Sequence, residues 1–338
     1  MNRIYCTVTA LLLCATAAVA RNEDGTLGLL QTPHNGLPAI VTAGSAFPVV
    51  ARDKAELTIK SESNAHALTV EWVPQTNGGF VGTCTVPEGV AAGAYALHAV
   101  AASGEDTNSR TVYIVESFPT EYVLAHVTDT HIGKPRPRGA EAIITDVFAN
   151  VNQSDAAFVL VTGDVTENGS VEQFQGFLRV LDTCERPTFV VAGNHDRQAL
   201  NYEAFFGPPA YFFRFGPDGY LGFDTKDFNV ADDLAAQPGA LEIYRRELAD
   251  SRWAIGFSHR YEPDMGMRGQ LVLFVDNPLD HFIFGHWHRA NTKAQRAVPW
   301  GDTRITVTPA AINGEMRYFD INAAGIHPRD PEKVTTIE

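Results

Sequence analysis

Basic charge is scarce in this chain. Lysine and arginine together number 26 against 40 aspartates and glutamates, leaving a formal net charge of -14. That balance argues against a nucleic acid or other polyanion as partner, since such binding rests on clustered cations that neutralise phosphates. The one short basic cluster is Lys134, Arg136 and Arg138. Cysteine is also scarce, with 4 residues in 338. Cys6, Cys14, Cys84 and Cys184 lack the spacing of a metal site or a disulfide framework. Cys84 and Cys184 either pair in an oxidising compartment or stay as buried thiols. Low-complexity tracts and long internal repeats are missing, and no apolar run beyond residue 20 is long enough to span a membrane.

What remains is globular composition, 45% apolar and 20% charged, with length enough for two domains and a full core. The N-terminus reads as a targeting segment. Arg3 supplies a positive start, Ile4 to Ala17 an apolar stretch centred on Leu11-Leu12-Leu13, and Ala18-Val19-Ala20 a small-residue cleavage pattern. Residues 1–20 are expected to be a signal peptide, and the mature protein to be exported, periplasmic or secreted, with no stable membrane span. Leu13 occupies the position where lipoprotein attachment at Cys14 would want a small residue.

Residues 21–35 mix Gly, Asn, Thr and Pro and read as a linker. From 36 to 117, short alternating runs such as Phe47–Ala51, Ala55–Ile59, Leu68–Trp72, Tyr95–Val100 and Thr111–Val115 are separated by glycine-containing turns. About seven strands without helical period suggest an immunoglobulin-like β-sandwich lacking the Cys pair and Trp of antibody domains. His34, His66 and His98 are isolated and read as surface or cross-strand residues. The expected role is a packing or docking module.

The character changes at Ser117-Phe118-Pro119, and residues 118–338 alternate strands with helices. Tyr122–Val127, Phe158–Val161 and Phe189–Val191 are continuous apolar runs of the kind buried on both faces. Helical patterns lie between them, with Ile143, Ile144, Val147, Phe148 and Val151 on one face and Val171, Phe174, Phe177, Leu178 and Leu181 on another. Tyr220–Thr225, Trp253–Phe257, Phe282–Phe284, Ile305–Thr308 and Met316–Ile321 read as further strands, and Leu241–Leu248 as a helix. This pattern indicates an α/β layer, and ligands of such sheets bind beyond the C-terminal ends of the strands.

Five strand ends carry the chemistry. In order they present Asp129-x-His131, Gly163-Asp164, Gly193-Asn194-His195-Asp196, Ser258-His259 and Gly285-His286-Trp287-His288. Each alone is an ordinary turn or loop pattern. Together they put carboxylate, imidazole and amide oxygen donors at one edge, a set suited to Zn, Fe or Mn.

On these five blocks the chain resembles the calcineurin-like metallophosphoesterases from about Tyr122 to Ile321. The resemblance implies a sandwich of two mixed sheets flanked by helices, with two metal ions at the strand ends. It implies that Asp129, His131 and His288 bind one ion and Asn194, His259 and His286 the other, with Asp164 bridging them. His195 would face the substrate, with Asp196 orienting its ring. Two such ions can clamp the oxygens of an in-line displacement at phosphorus and bring water's pKa down to about 7, so that a metal-bridging hydroxide attacks at neutral pH. The expected partner is a small phosphate ester, a diester or monoester.

Departures from relatives narrow this expectation. Purple acid phosphatases carry a Tyr three residues after the Gly-Asp aspartate, where this chain has Glu167. Phosphoprotein phosphatases show Gly-Asn-His-Glu, whereas position 196 is Asp. The motifs look closest to bacterial phosphodiesterases of the cyclic-nucleotide and glycerophosphodiester type. Glu167 and Asn168 read as substrate contacts or loop residues, Arg197, Arg260 and Arg289 as phosphate contacts or structural ion pairs, and Trp287 as a rim residue. The alternative of another class is a non-catalytic binding protein that docks through its β-sandwich.

Overall fold

A computed structural model describes residues 21–76, 78–223, 246–260, 279–291, 295–296 and 303–338. The signal-peptide reading of residues 1–20, the strand exit at Asp224-Thr225 and most of the helix expected at Leu241–Leu248 lie outside these residues. No helix among the described residues is long and apolar enough to cross a membrane.

The N-terminal part is all β. Strands β1 (Leu30–Thr32), β2 (Ala39–Thr42), β3 (Ala46–Ala51), β4 (Ala55–Lys60), β5 (Ala65–Pro74), β6 (Phe80–Thr85), β7 (Gly93–Ala101) and β8 (Gly104–Val115) pair in the order β1-β3-β6-β5-β4-β7-β8-β2. Alternate residues such as Leu57, Ile59, Leu97 and Ala99 point into one core of their own. His98 is a cross-strand residue, its Nδ1 2.8 Å from Thr107 Oγ1.

The linker expected at 21–35 is packed structure instead. Leu30 is buried in β1, Leu27 is buried and donates its N–H to the Ala204 carbonyl at 2.8 Å, and Arg21 reaches the carbonyls of Gly25 and Asn35. His34, expected as a surface or cross-strand residue, is fully enclosed with its Nε2 3.1 Å from the Phe206 carbonyl. The polar composition of this segment concealed the apolar Leu27–Leu30 anchor. Cys84 and Cys184 are free, buried thiols in two different cores, so they do not pair.

The rest is an α/β sandwich of two mixed sheets. One sheet runs β11 (Thr188–Val191), β10 (Ala156–Thr162), β9 (Tyr122–Val127), β18 (Glu315–Asn322), β19 (Gly325–Pro328), with β20 (Glu332–Lys333) on the end of β18. The other runs β12 (Tyr211–Phe215), β13 (Asp218–Gly222), β14 (Ala254–Phe257), β15 (His281–Phe284), β17 (Arg304–Val307), β16 (Gln295–Arg296). Strands β9, β10 and β11 are mutually parallel, as are β13, β14, β15 and β17. Their C-terminal ends therefore gather at one edge.

Strand parity explains the continuous apolar runs. Tyr122, Leu124, Phe158, Leu160, Phe189 and Val191 face the second sheet, whose Tyr211, Tyr220, Ile255, Phe257 and Ile283 meet them. Val123, Ala125, Val127, Val159, Val161 and Val190 face outward onto helices α1 (Ala140–Asn152), α2 (Val171–Leu181) and α3 (Asn201–Phe206). Both faces are covered, so neither needs polar residues.

Two neutral histidines are sealed within these layers. His126 lies with its ring nitrogens 2.5 Å from Thr308 Oγ1 and 2.7 Å from Thr162 Oγ1, and His281 Nε2 is 2.8 Å from Thr306 Oγ1. Burial first, with the buried Arg317 cation also contributing, pushes both rings down to about 3 from 6.5. Between those values the unfolded chain binds protons that the folded chain refuses, so stability rises with pH there. Unfolding free energy should therefore drop as pH falls from 6.5 toward about 3, by at most about 1.4 kcal/mol per pH unit for each ring. Denaturant titrations across this range should show the drop, and His281→Gln should flatten it.

Candidate metal centre

The five motifs lie at the gathered strand ends, on backbone that few side chains tolerate. Asp129, His131, Asp164, His286 and His288 all adopt positive φ, between 44° and 63°. Each such residue costs roughly 1–2 kcal/mol for an L-amino acid. Strain of this kind persists only where surrounding contacts over-determine it. Here the loops are zipped together. Asp129 N–H donates to the Gly163 carbonyl at 3.1 Å, His131 N–H to Asp164 at 2.9 Å, Ile132 N–H to Val165 at 3.0 Å, and Glu167 N–H back to Ile132 at 2.9 Å. Gly163 permits the contact with the neighbouring turn, since a Cβ there would lie 2.6 Å from both Gly193 N and His259 Cβ. At Gly285 a Cβ would collide with Thr128 Oγ1.

Six donors converge as a result. His288 Nε2 lies 3.0 Å from Asp129 Oδ1 and 3.3 Å from His131 Nε2. On the other side His259 Nε2 lies 3.0 Å from Asp164 Oδ2 and 3.1 Å from His286 Nδ1. His131 Nε2 stands between the two carboxylates, 3.9 Å from Asp129 Oδ1 and 3.8 Å from Asp164 Oδ2. Asp129, His131 and His288 thus form one group and Asp164, His259 and His286 a second, each with its ligand atoms within 4.8 Å of one another. The Oδ1 of Asn194, the remaining expected donor, accepts from Arg260 Nε at 2.8 Å, one residue beyond His259.

The electrostatics call for a cation. Asp129 and Asp164 are fully buried, and the Oδ1 of Asp129 has no hydrogen-bond partner. Burial by itself would push both carboxyls up, but the His259 charge, joined by His288 at Asp129, holds both below the ordinary value. Burial likewise opposes charge on His259, yet Asp164 and Asp129 raise it to about 9. Burial and the neighbouring His259 push His286 down to about 4. Buried charges of this density are paired or coordinate metals. Imidazole and carboxylate donors with an orphaned oxygen among them fit divalent transition ions, and among the described residues no thiol joins them to favour softer ones.

A family model described as calcineurin-like phosphoesterase matches residues 122–290, half of the chain. The chain belongs to the calcineurin-like phosphoesterase family. It is a metal-dependent phosphoric ester hydrolase. The phosphoesterase is 25% identical over 215 residues to a Rhodopseudomonas palustris protein named "Probable cyclic nucleotide phosphodiesterase", covering 56% of this chain and 76% of that one. Its fold is similar to that of purple acid phosphatase PPD1 from yellow lupin (Lupinus luteus), with TM-score 0.54, 12% identity and coverage of 88% and 72% of the two chains. PhoD aligns over 88% of this chain and 91% of its own at TM-score 0.47 and 8% identity.

One expected role needs correction. Asp196 does not orient the His195 ring. Its Oδ2 accepts from Gly193 N–H at 2.8 Å and Val165 N–H at 3.1 Å, and its Oδ1 from Thr166 N–H at 2.9 Å and Thr166 Oγ1 at 2.6 Å. The carboxylate closes its own 3-10 turn (Asn194–Asp196) and ties it to the β10 loop, which leaves no oxygen for the imidazole. The His195 Nδ1 instead faces the Glu167 carbonyl at 2.6 Å. Burial and the Asp164 charge push the Asp196 carboxyl up to about 6 in spite of its four hydrogen bonds.

The surrounding basic residues sort themselves out. Arg197 pairs with Glu203 at 2.7 Å, Arg138 with Asp146 at 2.7 Å, and Arg136 bonds Asn313 at 3.1 Å, all structural ties. Arg289 and Trp287 are exposed at the rim. Sequence reasoning left Glu167 between two roles, yet its side chain reaches His131 and its carbonyl reaches His195. The clue was its place one turn beyond the Gly-Asp block.

Because Asp196 holds three backbone N–H groups, Asp196→Ala should lower unfolding free energy by roughly 3 kcal/mol or more. Denaturant unfolding would measure it. A variant with unchanged stability and lost turnover would restore the orienting role.

Proposed function

We propose that this phosphoesterase is an exported enzyme with a dinuclear metal centre that hydrolyses small phosphodiesters, and phosphomonoesters less readily. The observation that carries the reading is the position of Asp164. Its Oδ2 lies 3.0 Å from His259, 3.8 Å from His131 and 4.0 Å from His195, so one carboxylate adjoins both donor groups and the substrate-facing histidine. Asp129, His131 and His288 would hold one ion, Asn194, His259 and His286 the other, and Asp164 both. The name of the R. palustris relative supports the diester preference.

When bound, the ions would neutralise phosphoryl charge and make water nucleophilic near neutral pH. The chain's own residues do the rest. His195 has its Nδ1 against a carbonyl that can only accept, so the ring carries a proton there and presents Nε2 toward the cluster. Its side chain is 39% exposed, open to an incoming ester. From Nε2 a charged ring can protonate the departing oxygen or stabilise charge on the phosphoryl group. Arg260 steadies Asn194 by donating its Nε–H to the Asn194 Oδ1. We read residues 36–117 as an immunoglobulin-like sandwich that packs on the catalytic part.

The test is metal analysis combined with hydrolysis of chromogenic phosphodiesters and phosphomonoesters in added Mn or Zn. Asp164→Asn should lose metal and activity together. His195→Ala should keep its metal and lose about 10²–10⁴-fold in kcat, while Asn194→Ala should weaken one metal step. Wild-type protein free of transition metal, with activity untouched in Asp164→Asn, would sink the dinuclear reading. For export, intact mass of the mature product should show cleavage after Ala20, and retention of Met1 would count against it.

A further inference from the structure

Residue 167 touches two neighbouring loops through three different groups. Its N–H donates to the Ile132 carbonyl at 2.9 Å, its carbonyl faces His195 Nδ1 at 2.6 Å, and its carboxylate Oε2 lies 2.7 Å from His131 Nδ1. Lys134 Nζ stands 3.6 Å from the same oxygen. The His131 ring is 1% exposed, and its other nitrogen, Nε2, points at Asp129, Asp164 and His288. The Glu167–His131 contact is short of full hydrogen-bond alignment, and neither atom has another hydrogen-bond partner among the described residues. Each ring nitrogen therefore has one kind of neighbour, a carboxylate behind it and the donor cluster in front.

We propose that Glu167 is a positioning residue for the metal centre: its carboxylate keeps the His131 proton on Nδ1 and leaves Nε2 as a bare donor aimed at the cluster. A carboxylate behind a ligating imidazole fixes its tautomer and rotation and raises its basicity. Lys134 holds the carboxylate in place and offsets part of its charge. The carbonyl of the same residue serves His195 independently of the side chain. Substitution at 167 therefore separates the two histidines, acting on the His131 group and sparing the His195 tether. This inference rests on the dinuclear reading above.

The experiment is calorimetric titration of the metal-stripped full-length protein with Mn(II), with melting temperatures in parallel. Wild type should bind in two steps. In Glu167→Ala one step should weaken about 10–100-fold, with the other step and the metal-free melting temperature held. Glu167→Gln keeps an acceptor oxygen and should recover most of that loss. Two unchanged steps in Glu167→Ala would overturn the inference while leaving the dinuclear reading intact. Equal weakening of both steps with a lowered metal-free melting temperature would also overturn it, as a scaffold role. Wild type that binds no Mn(II) would overturn both.

Discussion

Two carboxylates enclosed side by side at the strand ends dictate the architecture around them. Taking a carboxylate out of water costs several kcal/mol unless partners replace the solvent. The partners of Asp129 and Asp164 include imidazoles, the Thr128 hydroxyl at 2.8 Å from Asp129 Oδ2, and backbone amides: His286 N–H reaches Asp129 Oδ2 at 2.9 Å, and His195 N–H reaches Asp164 Oδ1 at 2.8 Å. Each of those amides comes from a different strand end. The need to solvate two anions draws the loops after β11 and β15 onto the loops after β9 and β10, and the left-handed residues follow from that crowding.

The same constraint explains the division of labour among the acids. Asp196 is as deeply buried as Asp129 and Asp164, yet it accepts four hydrogen bonds and belongs to the scaffold. Asp129 keeps one oxygen without a hydrogen bond, and that oxygen faces imidazole nitrogens. A carboxylate whose acceptor capacity is filled by N–H groups stabilises a turn. One with capacity left over, aimed at bare nitrogens, is prepared for a cation.

These distinctions set the limits of sequence reading. The alternation of Tyr122, Leu124 against Val123, Ala125, and of Phe158, Leu160 against Val159, Val161, was legible because a strand buried on both faces leaves an unbroken apolar run. The candidate ligands were legible because parallel strands must deliver their C-terminal residues to one edge. The roles of Asp196 and Glu167 were not. Which of two nearby carboxylates meets an imidazole depends on how the β10 and β11 loops lie across each other, and that is decided by amide groups every residue shares. The short helix α3 and strand β12 also escaped notice, since six and five residues are too few to display a period.

Residues 21–35 show how composition can mislead about a site some distance away. Their mix of Gly, Asn, Thr and Pro suggested a tether, but Gly36, directly after them, lies alongside Phe189 and its carbonyl accepts from Val190 N–H at 2.8 Å. Strand β11 is the last of its sheet, so its outer edge would otherwise present unpaired amides. Tyr202 and Tyr211 hydroxyls then cap the Val190 carbonyl at 3.0 and 2.8 Å. This is the strand that delivers Asn194 and His195. A frayed edge there would loosen both residues, and the N-terminal segment closes that edge with backbone bonds that any sequence of suitable shape could supply. The β unit that follows is thereby tied to the strand behind the Asn194–Asp196 turn, which makes it a structural support of the site before it is anything else.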